Sequence, residues 1–119
     1  MKLYAGIDLH SNNSVLVVLD ENDKVIYSKR LPNDAQVILE VLAMYKEQIE
    51  AVAVESTYNW YWLVDALQDD GYTVRLANTA AVVVYDGLKY SGDIADARHL
   101  AHLLRVNLLP CGYIYPKEP

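Results

Sequence analysis

Three apolar segments near the amino terminus limit the fold more than any other feature of the chain. They are Leu3 to His10, Ser14 to Leu19 and Val25 to Leu31. Their connections, Ser11-Asn12-Asn13 and a polar run containing Glu21-Asn22-Asp23, are turn-length and too short for a helical crossover. The three strands therefore form an antiparallel meander. The third alternates Val25, Tyr27 and Lys29 against Ile26, Ser28 and Arg30, a mixed polarity that suits a sheet edge.

After the meander the pattern changes to helix and strand in alternation. Asn33 is placed to cap a helix running to about Gln48, with Val37, Leu39, Val41, Leu42 and Tyr45 on its apolar face. Ala51 to Glu55 reads as a short buried strand, and a helix from about Tyr58 to Asp69 stops at Gly71. Tyr72 to Leu76 is a fifth strand; Thr79 to Tyr85 reads as helical despite its valines, with strand as the alternative. A loop from Gly87 to Gly92 leads into a last helix that Ser91 and Gly92 open and Arg105 closes. The sum is an α/β domain on a mixed five-stranded sheet, with helices on both faces.

The chain has 119 residues, the size of one domain, and 53% of them are hydrophobic, enough for a sizeable core. Residues 1–108 are expected to form that domain. Pro110, Pro116 and Pro119 mark 109–119 as an extended linker toward a second domain. A lone Cys111 excludes an internal disulfide and fits a reducing compartment. Asp8 interrupts the first apolar run, and no run reaches membrane-spanning length, so a cytoplasmic location is expected. The formal net charge of −6 argues against nucleic acid unless several acids serve a metal or basic surface lies on other chain.

Several of those acids stand in odd places. Asp8 sits in mid-strand between Ile7 and Leu9, and Glu55 ends the fourth strand. On a helical wheel Asp93 and Asp96 share roughly 100° of arc with Ala97, Leu100 and Leu104. Two carboxylates one turn apart on an apolar face repel each other and need compensation, which a hard divalent cation supplies. If the first and fourth strands are parallel neighbours, Asp8 and Glu55 lie side by side, and the last helix can bring Asp93 and Asp96 to them. Such a set suits two-metal phosphodiester chemistry, with cations about 4 Å apart. Each acid also has a plain reading: Asp93 as a helix cap, Asp96 as a solvated first-turn acid, Asp8 at a wet edge, Glu55 at a loop start.

Four segments carry a family resemblance: Gly6-Ile7-Asp8-Leu9-His10, the Val54-Glu55-Ser56-Thr57-Tyr58-Asn59-Trp60-Tyr61-Trp62 run, Leu76-Ala77-Asn78, and Asp93-Ile94-Ala95-Asp96-Ala97-Arg98. In this order they resemble the N-terminal domain of DEDD insertion-sequence transposases, a family related to the Piv DNA invertase. The resemblance implies a RuvC-like, ribonuclease H-type fold in which Asp8, Glu55, Asp93 and Asp96 bind Mg²⁺, with Mn²⁺ as a substitute, for DNA cleavage and exchange. It further implies DNA as substrate, a structured bridge RNA as guide, homo-oligomers, and a C-terminal domain carrying a nucleophilic serine. On that view the chain is the catalytic half of a longer protein. Gly92 departs from related sequences, which often carry a polar or acidic residue there.

Other residues weigh less. His10 shares a strand face with Asp8 and is expected beside the acids. Lys89 and Arg98 read as solvated cations with a phosphate contact as the alternative, and His99 and His102 as surface residues. Tyr58, Trp60, Tyr61 and Trp62 read as core and interface rather than a base-stacking platform. Three other functions compete with the transposase domain. One is a RuvC-type Holliday-junction nuclease. Another is an actin-like ATPase module, against which His10 stands where a phosphate hairpin needs a small residue. The last is a non-catalytic assembly domain.

Overall fold

The computed structural model describes residues 1–55, 60–77 and 93–106, the side chains of 93–96 excepted. Its elements are β1 (Leu3–Leu9), β2 (Asn13–Leu19), β3 (Val25–Pro32), α1 (Ala35–Ala43), β4 (Ile49–Glu55), α2 (Tyr61–Asp69), β5 (Val74–Ala77) and α3 (Asp93–Arg105). The five strands form one sheet in the order β3-β2-β1-β4-β5. β1 pairs antiparallel with β2, and β2 with β3, as the short turns require. β1 pairs parallel with β4, and β4 with β5, through the helical crossovers α1 and α2. The expected mixed sheet is therefore present, with β3 at its edge.

Strand parity divides the core in two. Ile7, Leu16, Val18, Val52 and Val54 face Ile38 and Leu42 of α1 and Leu63 and Leu67 of α2. On the other side Val15, Val17 and Leu19 meet Ala97 and Ala101 of α3, while Ala53 and Ala77 meet Leu100. Each Val or Leu so buried stabilises the fold by roughly 1.5–3 kcal/mol. β2 is buried on both faces, which explains its unbroken apolar run.

Gly6 decides how near α3 can come. A Cβ at that position would strike the carbonyl oxygen of Ala97 and lie 2.8 Å from the backbone nitrogen of Ala101. The helix backbone thus rests directly on β1, with Gly6, Ala97 and Ala101 making the seam.

Local boundaries differ from the sequence expectation: β4 starts at Ile49 rather than Ala51, β5 runs Val74–Ala77 rather than Tyr72 to Leu76, and three helix ends shift. Asp34, not Asn33, caps α1, its Oδ1 accepting from the Gln36 N–H at 2.9 Å. Asn33 is drawn away to bond Ser14 and the carbonyl of His10. α1 ends at Ala43, one residue after its last buried side chain, Leu42, and tighter turns carry the chain to Gln48. α2 begins at Tyr61 without a side-chain cap, and Gly71 takes φ +94° beyond its end, as a stop glycine should. The helix expected at 79–85, the loop at 87–92, the tail at 109–119, and Lys89, Tyr58 and Cys111 lie outside the described residues.

Candidate active site

Asp8 enters the site because β1 carries it there. Within the strand, Gly6 and Asp8 face α3, while Ala5, Ile7 and Leu9 face the opposite core. Asp8 is 3% exposed, so its carboxylate is set into the protein rather than at a wet edge. A buried carboxylate without compensation costs several kcal/mol. Among the described residues its partner is His10, whose Nε2 lies 3.0 Å from Oδ2.

His10 is held in turn. Its backbone N–H donates to the Asn13 carbonyl at 2.9 Å, and its own carbonyl accepts from Asn33 Nδ2 at 2.7 Å. Ser14, itself buried, donates its hydroxyl to Asn33 Oδ1. A chain of contacts therefore runs Ser14, Asn33, His10, Asp8. Sequence reasoning anticipated His10 and missed Asn33 and Ser14. An asparagine before a helix reads as a cap, and no local pattern marks a bond that reaches back across the sheet to β2.

Glu55 is the last residue of β4. The parallel register pairs Ile7 with Val54, so Asp8 and Glu55 come next on adjacent strands. Ala53 packs against α3, and Glu55, two residues on, shares its face. Glu55 is half-buried and stands opposite Ala77 at the end of β5. Both carboxylates thus occupy the carboxyl ends of neighbouring parallel strands, where open α/β sheets bind their ligands.

The first turn of α3 holds positions 93 and 96, whose side chains lie outside the described residues. The direction of α3 follows from its other contacts. Ala97 and Ala101 lie over Gly6, and His102 and Arg105 reach the β2–β3 turn at the opposite end of the sheet. The helix therefore starts on the side of the sheet where β1 and β4 end. Among the described residues no group of three or more His, Cys, Asp and Glu side chains is arranged to hold a metal.

The remaining candidates sort by contact. Arg98 is largely exposed and faces Asp23 at 3.6 Å, so it spends its charge away from Asp8. His102 pairs with the same Asp23 at 3.0 Å, and His99 is half-buried with its ring stacked at 6.5 Å from His102. Neither is the plain surface residue that the wheel suggested. Trp60 and Trp62 pack against the core, as expected, while Tyr61 is 62% exposed and stacks on Trp60 at 4.1 Å.

Comparison with known proteins supplies a context for this geometry. A family model for IS110-type DEDD proteins, described as a transposase, matches residues 5–114. No curated protein matches the chain. Among solved structures the chain is similar to RuvC of T. thermophilus in complex with a Holliday junction substrate. The TM-score is 0.68 at 16% identity, over 93% of this chain and 99% of that one. The large terminase nuclease of a thermophilic phage gives 0.54 at 15% identity, over 92% of this chain and 57% of that one. A ROK family transcriptional regulator gives 0.51 at 10% identity, over 69% and 29%. The fold is RuvC-like, of the ribonuclease H type.

Proposed function

The chain belongs to the IS110-type DEDD transposase family, and from that premise we propose that Asp8, Glu55, Asp93 and Asp96 form one four-carboxylate site for DNA strand cleavage and exchange. The enzyme class, a transposase with a nuclease fold, comes with the family, and DNA comes with it as substrate. The observation that carries the site is the parallel pairing of Ile7 with Val54, which makes Asp8 and Glu55 neighbours on the face that α3 covers.

DEDD nucleases of this fold generally use a divalent metal. The donor set here fits one: carboxylate oxygens, one of them on a buried Asp8 whose Oδ2 already rests on His10. Mg²⁺ is the cation proposed, with Mn²⁺ able to replace it. The chemistry that such a pair of ions supplies when bound is activation of the attacking oxygen and stabilisation of the leaving one. The chain's own residues supply position. β1 and β4 hold Asp8 and Glu55 on a rigid ladder, and His10 fixes the rotamer of Asp8. The amino terminus of α3 adds the positive end of its dipole, which favours anionic groups there.

In the same reading the full-length protein works in the cytoplasm as a homo-oligomer, with a structured guide RNA choosing its DNA. A junction-resolving nuclease is the runner-up, and fold likeness to RuvC is all that favours it.

Calorimetric titration of Mn²⁺ into the chain and into an Asp8→Asn, Asp96→Asn double variant tests the site. Binding by the parent that the folded variant loses is the expected result. Equal binding by both would sink the four-acid site.

A further inference from the structure

α3 carries a second polar assembly, at the end remote from Asp93. Its centre is Asp23 in the β2–β3 turn. Asp20 builds that turn: its Oδ1 accepts from the backbone N–H groups of Asn22 at 2.8 Å and Lys24 at 3.0 Å. Asp23 is left at φ +68°, a conformation that Asp and Asn tolerate better than other side chains. Three side chains of α3 then converge on it. His102 Nδ1 lies 3.0 Å from both carboxylate oxygens, and Arg105 Nε donates to Oδ1 at 3.0 Å. The Arg98 guanidinium is 3.6 Å from Oδ2 and donates to the Asp23 carbonyl at 3.3 Å. Arg105 also donates to the Glu21 carbonyl at 3.3 Å.

The spacing of these three is what gives the cluster a task. Positions 98, 102 and 105 follow the i, i+4, i+7 rule and form one stripe along the helix. Arg98 and Arg105 stand about 10 Å apart along the axis, at about 1.5 Å per residue, with His102 between them. They close on Asp23 from its two sides, so sliding the helix either way stretches one arm.

Elsewhere α3 meets the sheet through apolar packing, Ala97 and Ala101 on Val15, Val17 and Leu19, and Leu100 on Ala53 and Ala77. Over β1 and β4 the seam is made of the small residues Gly6, Ala53, Ala97 and Ala101, so the polar grip at Asp23 adds a directional contact to that packing. An isolated surface ion pair would add almost nothing. A carboxylate 25% exposed, in a built turn, bonded by His102 and Arg105 and with the Arg98 guanidinium 3.6 Å away, is a different case.

α3 is one helix from Asp93 to Arg105, so its axial position at Asp23 is also that of its first turn. We propose that Asp23 is a positioning residue for the catalytic site: through Arg98, His102 and Arg105 it fixes the register of α3, and hence of Asp93 and Asp96, against Asp8 and Glu55. The proposal rests on the four-acid reading above. It assigns Asp23 no contact with substrate or metal.

Asp23→Asn is the informative change, because asparagine keeps the positive φ of the turn while removing the charge and one of the two acceptor oxygens that His102 and Arg105 engage. Two readouts are taken on the parent chain, Asp23→Asn, and Asp8→Asn as a control for the site itself. One is Mn²⁺ affinity; the other is amide hydrogen exchange along α3, with β1 and β2 as the internal standard. The expected result is a fall in Mn²⁺ affinity of about 10–100-fold in Asp23→Asn, the range for loss of a group supporting metal ligands. Exchange should quicken over 97–105 and stay unchanged in β1 and β2, since a general loss of stability would move both. Parent-like affinity in Asp23→Asn, with Asp8→Asn defective, overturns the proposal and leaves the four-acid site standing. Should the parent chain bind no Mn²⁺, the four-acid reading fails and exchange alone decides. Quickening confined to α3 then upholds Asp23 as its anchor, and unchanged α3 exchange removes that role.

Discussion

Gly6 is where one added atom would do most harm. A methyl at that position meets the Ala97 carbonyl and the Ala101 nitrogen, both backbone atoms that cannot rotate away. Gly6→Ala should destabilise the fold by about 1–3 kcal/mol, the usual cost of overpacking a tight contact. Urea denaturation measures it, and a midpoint equal to the parent's would show that α3 can lift off β1 without cost. Asp8 and Gly6 were unequally legible in the sequence. An acid between Ile7 and Leu9 declares itself, and period-two alternation put His10 on its side. The need for glycine at position 6 depends on a helix far along the chain, which nothing near Gly6 announces.

α3 has one end at the proposed site and the other at Asp23. Burial pushes the Asp23 carboxyl up, but the bonds from His102 and Arg105 and their charges outweigh it and hold the group below its ordinary value of about 3.8. A folded-state value below the unfolded one stabilises the protein above the unfolded value and ceases to do so as pH falls through the folded one. The stability gap between the parent and Asp23→Asn should therefore narrow below about pH 4. Denaturant midpoints of both proteins at pH 5 and pH 3 would show it, and a gap of constant size would mean that Asp23 gains nothing from its cations. The elements themselves were mostly legible. Turn lengths gave the meander, mixed polarity gave the β3 edge, and alanine and leucine spacing gave α3. The α1 cap slipped by one residue because Asn33 and Asp34 are equally good caps, and only tertiary bonds to Ser14 and His10 decide between them. Asp23 escaped notice because a turn aspartate looks solvated until the helix that grips it is in place.

At the scale of the whole molecule, the order β3-β2-β1-β4-β5 does the essential work. It puts the first strand and the fourth side by side and parallel, so that acids distant in sequence end at the same rim of the sheet. With the proposed site, the charge of −6 is no obstacle to a DNA enzyme, because four of the 16 acids would serve cations rather than face phosphate. Among the described residues no helix is long and apolar enough to cross a membrane. Sequence reached this arrangement only conditionally: strand order is set by crossovers and packing, and the acids converge only if β1 and β4 are neighbours. On the proposed reading, Asp8, Glu55, Asp93 and Asp96 meet around metal. Anomalous diffraction from crystals grown with Mn²⁺ tests it most directly. The expected density lies between the ends of β1 and β4 and the first turn of α3, with oxygens of all four acids about 2.0–2.3 Å away. Manganese found instead at the Asp20 and Asp23 turn, or Asp93 and Asp96 turned away from Asp8, would contradict it.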